Sequence, residues 1–267
     1  MKHKQIDFPN PAVYLSPRMF ESEGVPLVLL HGFCEDASVW SPMLEHLTDL
    51  PLVMIDLPGF GLSDMPVTPT VEAYADAVEQ ALDHLEIDRC VMVGHSLGGY
   101  VALEYASKYG RRLAGYGLFH SHPFADTEER IAARQRGIDM VLSGKRDLYV
   151  AQLFPNLFAP AFSAQHPEVL NAVIAAGKSQ RPEGIVAALN AMITRRDHQQ
   201  TLKNATCPVL FLLGSEDTLV PLDTAWQTAM LPETSQVEVL EGVGHMAMFE
   251  AGKEAAQILH SFYALSI

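Results

Sequence analysis

Short, continuous apolar runs alternate with longer stretches of helical spacing along most of these 267 residues. Val25 to His31, Pro51 to Asp56, Arg89 to Gly94, Leu113 to Phe119, Cys207 to Gly214 and Gln236 to Leu240 are the apolar runs. A run that is apolar at nearly every position, and not at every second one, belongs to a strand covered on both faces. Such strands separated by helices predict βαβ units and a largely parallel sheet. Helical spacing occupies Ala37 to Leu47, Val71 to Leu85, Leu97 to Tyr109, about Asp223 to Met230 and about Ala247 to Tyr263. In the second of these, Val71, Ala75, Val78, Leu82 and Leu85 share one face opposite Glu72, Asp76, Glu79 and Asp83, which predicts an amphipathic helix with an acidic solvent face.

The alternation stops between residues 121 and 205, where helices and loops rich in Phe, Leu and Arg are divided by Pro123, Pro155, Pro160, Pro167 and Pro182. The chain is therefore expected to build one α/β core from residues 1–120 and 206–267, with residues 121–205 inserted as a helical cap or lid. Ala12 to Arg18 and its neighbours are expected to supply a short edge hairpin.

Hydrophobic residues make up 48% of the chain, enough for a sizeable core. Thirty-two acidic against 18 basic residues give a formal net charge of −14, which repels nucleic acid and anionic membrane surfaces. No apolar stretch approaches the ~18 residues of a membrane span, and the N-terminus lacks the apolar core of a secretory signal. Cys34, Cys90 and Cys207 form no CxxC pair, so neither a disulfide framework nor a zinc site is expected and a cytoplasmic location fits.

Gly94-His95-Ser96-Leu97-Gly98 lies between an expected strand and an expected helix, the context of a nucleophile elbow. A side chain at 94 or 98 would crowd so tight a turn, and the turn lifts the Ser96 hydroxyl above the sheet edge. A serine hydroxyl needs a base, and the base needs a partner that holds its tautomer. His245 follows one strand in Glu241-Gly-Val-Gly-His245, where Gly242 and Gly244 give a mobile turn that aims it. Asp217 follows another in Gly214-Ser-Glu-Asp217 and is preferred to its rivals Glu216 and Asp126. Ser96, Asp217 and His245 thus stand in the chain order such a triad requires. The backbone N–H groups of Phe33, in His31-Gly-Phe33, and of Leu97 are placed to receive the oxyanion of a tetrahedral intermediate. His31 is expected to brace that loop, Cys34 to take no part, and His120 and His122 to satisfy loop carbonyls rather than act in the pocket.

Together HGF at 31–33, DLPGFGLSD at 56–64, GHSLGG at 94–99, GSEDTLVP at 214–221 and GVGH at 242–245 resemble the α/β-hydrolase fold family over nearly the whole chain outside the insertion. The resemblance implies an eight-stranded, mostly parallel sheet flanked by helices, the triad Ser96, Asp217 and His245, and oxyanion donors at Phe33 and Leu97. It implies no cofactor and no metal. A serine at 96 argues against the branches whose nucleophile is an aspartate. The expected activity is hydrolysis of a small, fairly apolar carboxylic ester, carboxylesterase-like, by a protein that is a monomer or homodimer. The alternatives are a thioesterase, carbon–carbon bond hydrolase or lyase acting on a carboxylate-bearing substrate, or a non-catalytic ligand receptor. Phe124, Leu153, Phe154, Leu157, Phe158, Phe162 and Met192 are candidates for an apolar ceiling. Arg130, Arg134, Arg136, Arg181, Arg195 and Arg196 are expected in solvent, and one turned inward would favour the carboxylate-bearing substrate.

Overall fold

The computed structural model describes residues 4–6, 13–15 and 24–267. Eight strands form one sheet: β1 (Lys4–Ile6), β2 (Val13–Leu15), β3 (Leu27–Leu30), β4 (Leu52–Ile55), β5 (Cys90–His95), β6 (Leu113–Phe119), β7 (Val209–Gly214) and β8 (Ser235–Leu240), in spatial order β1-β2-β4-β3-β5-β6-β7-β8. β3 to β8 are joined by parallel pairings, and β2 pairs antiparallel with both β1 and β4. The β1–β2 pairing is the expected edge hairpin, and the residues that join the two strands lie outside those described. Every residue of β3, β4, β5, β6 and β7 is buried, as continuous apolar runs demand of strands sandwiched between helices. β8, at the edge, is half-exposed throughout.

The helices are α1 (Ser41–Leu44), α2 (Val71–His84), α3 (Leu97–Tyr109), α4 (Glu128–Leu142), α5 (Arg146–Leu153), α6 (Pro160–Gln165), α7 (Pro167–Ser179), α8 (Pro182–Thr194), α9 (Gln199–Lys203), α10 (Leu222–Ala229), α11 (Ala247–Glu250) and α12 (Gly252–Ser266). Among the described residues no helix is long and apolar enough to cross a membrane. α2 buries Val71, Tyr74, Ala75, Val78, Ala81 and Leu82, and the Thr70 hydroxyl caps it by accepting from Ala73 N–H. Glu72 and Asp83 on its acidic face are exposed as expected, whereas Asp76 and Glu79 are partly covered by ion pairs. Lys108 on α3 meets Asp76 at 2.6 Å, and Arg112 meets Glu79 at 2.6 Å.

Two expected helices are divided. Ala37 to Leu47 becomes a 3₁₀ turn at Ala37–Trp40 followed by α1, because Pro42 has no N–H and its ring blocks the carbonyl one turn earlier. The C-terminal helix breaks at Ala251, whose backbone leaves the helical region (φ −147°, ψ 46°). Helices α4 to α9 fill the span between β6 and β7. They dock on the loop after β4: Gln180 accepts from Gly61 N–H at 3.0 Å and donates to Asp36 at 2.9 Å. Gly184 approaches so closely that a Cβ there would sit 2.0 Å from the Gly59 carbonyl oxygen.

Candidate active site

Parallel strands direct their carboxyl ends to one edge of the sheet, which is where ligands bind in open α/β folds. Here the loops after β3, β5, β6, β7 and β8 bring Phe33, Ser96, His120, Asp217 and His245 to that edge. Ser96, between β5 and α3, has φ 50° and ψ −108°, a conformation costly for a residue with a Cβ. The turn is tight because backbone packs on backbone: a Cβ on Gly94 would lie 2.1 Å from the Gly98 carbonyl group, and one on Gly98 would lie 2.4 Å from the Leu30 carbonyl oxygen. Cys34 and His120 also take positive φ, so three of the non-glycine residues in this region belong to loops around Ser96.

Asp217 is the histidine's partner. His245 Nδ1 donates to Asp217 Oδ2 at 2.7 Å, with both side chains buried. The rival acids are elsewhere: Glu216 is exposed, and Asp126 pairs with Arg134 and Arg195 at 2.5 and 2.7 Å. Asp217 Oδ1 accepts from Leu219 N–H at 2.8 Å and Val220 N–H at 3.1 Å, which fixes the rotation of the carboxylate. Burial works to raise this carboxyl, but the contacts with His245 and His120 overcome it and hold the group well below the usual carboxylate range.

His120 was not anticipated in that role. Its Nδ1 donates to the same Asp217 Oδ2 at 3.0 Å, and burial pushes its pKa down to about 4, so the ring is neutral at neutral pH. A histidine three residues before a proline at the end of β6 carries no local sign of this contact. Nε2 of His245 is buried and has no hydrogen-bond partner, free to take a proton from the cavity that Ser96 also lines. His120, Asp217 and His245 offer ligand atoms within 4.8 Å of one another, the donor set of a metal site. Both imidazole Nδ1 atoms are engaged by Asp217 Oδ2, which ties the three side chains into one hydrogen-bond network.

The loop carrying His245 is pinned, in contrast to the mobile turn expected from its glycines. Glu250 accepts from Gly244 N–H at 3.0 Å, Met246 N–H at 3.1 Å and Ala159 N–H at 2.9 Å, while His245 N–H donates to the Leu157 carbonyl at 2.6 Å.

The cavity at Ser96 measures about 320 Å³ and is lined chiefly by apolar groups, among them Phe33, Leu153, Leu157 and Met192. Phe154 is fully buried in packing, and Phe124, Phe158 and Phe162 do not line it. Leu97 opens α3, where the first-turn amides have no partner within the helix. His31 braces its loop, accepting from Leu57 N–H at 2.8 Å through Nε2 and bonding the Gly32 carbonyl through Nδ1 at 2.7 Å. Burial raises the Cys34 thiol well above its ordinary range.

Among the arginines expected in solvent, Arg130 and Arg134 instead line the cavity and Arg195 is buried. Arg134 is neutralised by Asp126. Arg130 donates to His122 Nε2 at 2.9 Å and to the Leu219 carbonyl at 2.8 Å, and among the described residues no carboxylate pairs with it. Burial and the neighbouring arginines push His122 down to about 3, which keeps it a neutral acceptor. Arg195 and Arg196 are held by Asp126 and Glu104, and Arg181 by the Ser63 carbonyl.

The family model described as alpha/beta hydrolase fold matches residues 25–252. A solved thermophilic esterase from Thermogutta terrifontis, malate bound, superposes with a TM-score of 0.90 at 28% identity, covering 100% of this chain and 99% of that one. The biotin biosynthesis bifunctional protein BioHC of Cellvibrio japonicus is 26% identical over 246 residues, 89% of this chain and 47% of that protein, so the chain spans about half that relative's length. A 2-hydroxy-6-oxononadienedioate/2-hydroxy-6-oxononatrienedioate hydrolase of a Pseudomonas species is 26% identical over 249 residues, 89% of this chain and 87% of that one.

Proposed function

The chain belongs to the α/β-hydrolase fold family, and on that footing we propose that it is a serine hydrolase cleaving a small, fairly apolar carboxylic ester through an acyl-enzyme. The observation that carries this reading is the buried His245–Asp217 pair, whose free Nε2 opens on the same largely apolar cavity as the strained Ser96 elbow. Ser96 Oγ attacks the ester carbonyl while His245 Nε2 takes its proton, and the amides of Phe33 and Leu97 receive the oxyanion. Collapse of the tetrahedral intermediate expels the alkoxide, which leaves as alcohol with the proton from His245. Water then gives its proton to His245 and attacks the acyl carbon, and the acid departs as Ser96 recovers its proton. Asp217 holds the Nδ1–H tautomer and stabilises the imidazolium. Residues 121–205 act as a cap that supplies Leu153, Leu157 and Met192 and so sets the acyl group.

A fluorophosphonate probe with mass-spectrometric mapping tests this. Labelling at Ser96 that is lost in Ser96→Ala and His245→Ala, together with turnover of short-chain chromogenic esters, is the expected result. Folded wild-type protein that neither labels nor turns over any ester sinks the reading and leaves a ligand receptor on this fold.

A second reading is favoured by Arg130: the substrate carries a carboxylate, and the bond cleaved is an ester, a thioester or a carbon–carbon bond adjacent to a carbonyl. A half-buried guanidinium in the cavity wall, with no carboxylate partner among the described residues, is available for bidentate recognition of an anion. Two similar proteins carry acids in their descriptions, a bound malate and a dioate substrate. Arg130→Gln is expected to raise KM about tenfold or more for esters of dicarboxylic acids and to leave neutral esters unaffected. Equal effects on both ester classes rule the carboxylate out.

A further inference from the structure

Two buried side chains that the proposed chemistry leaves unused join three of the loops at the sheet edge. Glu35, after β3, and His95, the last residue of β5, are 5% and 1% exposed. Glu35 Oε2 accepts from Gly32 N–H at 2.7 Å and from His95 Nδ1 at 3.0 Å. His95 Nε2 donates to the backbone carbonyl of His245 at 3.0 Å. A ring with a carboxylate at one nitrogen and a carbonyl at the other faces two acceptors, and only the doubly protonated imidazole has a proton for each. Position 32 must be glycine to leave room: a Cβ there would lie 2.6 Å from His95 Nδ1 and 2.7 Å from Glu35 Oε2.

We propose that Glu35 and His95 form a buried ion pair that positions the loop bearing the Phe33 amide and the backbone of His245 around Ser96. Both are positioning residues, and the assignment rests on the serine-hydrolase reading above. Burial of two charges adds little to stability even when they are paired, since desolvation offsets most of the attraction. What such a pair does supply is geometry. One oxygen sets the Gly32 amide, next to the Phe33 donor, relative to the residue preceding Ser96, and the far nitrogen sets the residue that carries the base. These contacts span 60 and 150 positions of chain, so the three loops move together or not at all.

The surroundings of His95 leave Glu35 as its counter-charge. The rings of His245 and His120 stand 5.0 and 6.3 Å away, and Trp40 and Phe119 close the other sides at 6.4 and 5.9 Å. Asp217 also attracts a proton to His95, but its Oδ2 is occupied by His245 and His120. Near Glu35 lie His31 and the Cys34 thiol, and Arg130 and Arg134 line the same cavity as Glu35 and His95. Burial lowers the basicity of His95, and Glu35 more than restores it. Burial likewise opposes ionisation of Glu35, and His95 overcomes that, leaving the carboxyl below its ordinary value. With an acceptor at each ring nitrogen the pair holds while His95 keeps both protons and is broken when rising pH removes one, which places a limb on the alkaline side of the kcat profile. Without the Glu35 charge that proton leaves at lower pH.

The test combines kinetics with ¹⁵N-histidine NMR of the full chain. In wild type at pH 7 the His95 ring is expected to show two protonated nitrogens. Glu35→Gln is expected to lose about 10²-fold in kcat, as misplaced reacting groups do, with KM little changed. Its alkaline limb is expected to move to lower pH, while Glu35→Asp, which keeps the charge, holds the limb in place. A His95 ring with one bare nitrogen at pH 7, or a folded Glu35→Gln with an unmoved limb, overturns the pair. If Glu35→Gln fails to fold, the wild-type spectrum still decides. Absence of fluorophosphonate labelling at Ser96 overturns the hydrolase reading and the positioning role with it, whereas labelling alongside a singly protonated His95 overturns the pair alone.

Discussion

Replacing Asp217 by asparagine exchanges one oxygen for an NH₂ group and should disable the base without unfolding the protein. Asp217 Oδ1 accepts from two backbone amides, Leu219 at 2.8 Å and Val220 at 3.1 Å, and an asparagine must keep its carbonyl oxygen there because an NH₂ would face two donors. The NH₂ group is then forced into the place of Oδ2, against Nδ1 of His245 and Nδ1 of His120. Its two protons satisfy both rings only if each Nδ1 gives up its hydrogen. His245 becomes the Nε2–H tautomer and can no longer accept the Ser96 proton. Trapping the wrong tautomer in this way lowers kcat by about 10⁴, which at about 1.4 kcal/mol per decade is on the order of 5 kcal/mol of transition-state stabilisation. The hydrogen bonds are exchanged and not abolished, so KM should stay within a factor of about three and Tm should fall by only a few degrees. Steady-state turnover of a short-chain chromogenic ester, with a thermal melt beside it, measures both. A folded Asp217→Asn protein retaining more than about a tenth of wild-type kcat refutes the reasoning, since His245 would then be working without this carboxylate.

Gly94→Ala should lower Tm by roughly 5–10 °C, because its Cβ would meet the backbone of Gly98 and Gly99 at 2.1–2.4 Å with no flexible atom to yield; an unchanged melt would show that the elbow relaxes. Asp217 has a folded pKa below its unfolded value, so its contribution to stability is present in full above about pH 4 and is withdrawn as the pH falls further. Urea melts between pH 3 and 6 should therefore show a steeper acid loss in wild type than in Asp217→Asn, and equal slopes would contradict the depressed carboxyl. Burial raises the Cys34 thiol far above its ordinary value and pushes Cys90 up to about 12, so iodoacetamide at pH 8 should leave esterase turnover intact; rapid modification of Cys34 with inactivation would point to a thiol mechanism.

What the sequence determined was local. The apolar runs at 25–31, 89–94 and 207–214 could be read as strands because burial on both faces leaves no polar position to alternate with, and all lie in the sheet where the runs predicted. The elbow at 94–98 was legible for the same reason, since a strand, a tight turn and a helix within ten residues leave room only for glycine at its close contacts. The acid and the base could be nominated by their position after strands, with Asp217 ahead of Asp126, and the structure adds that Asp126 is occupied by two arginines.

Tertiary structure alone decided the rest, because each remaining feature is a contact between residues that no local pattern links. His120 reaches Asp217 across 97 positions and Glu35 reaches His95 across 60. Glu250 fastens a loop whose glycines by themselves read as freedom. Arg130 lies on a helix whose spacing gives no sign of which side faces Ser96, and its orientation emerges only when α4 packs beside the loop after β7 and its guanidinium meets the Leu219 carbonyl. Periodicity tells which face of an element is buried; it does not tell what that face meets, and the specificity of this cavity lies in what it meets.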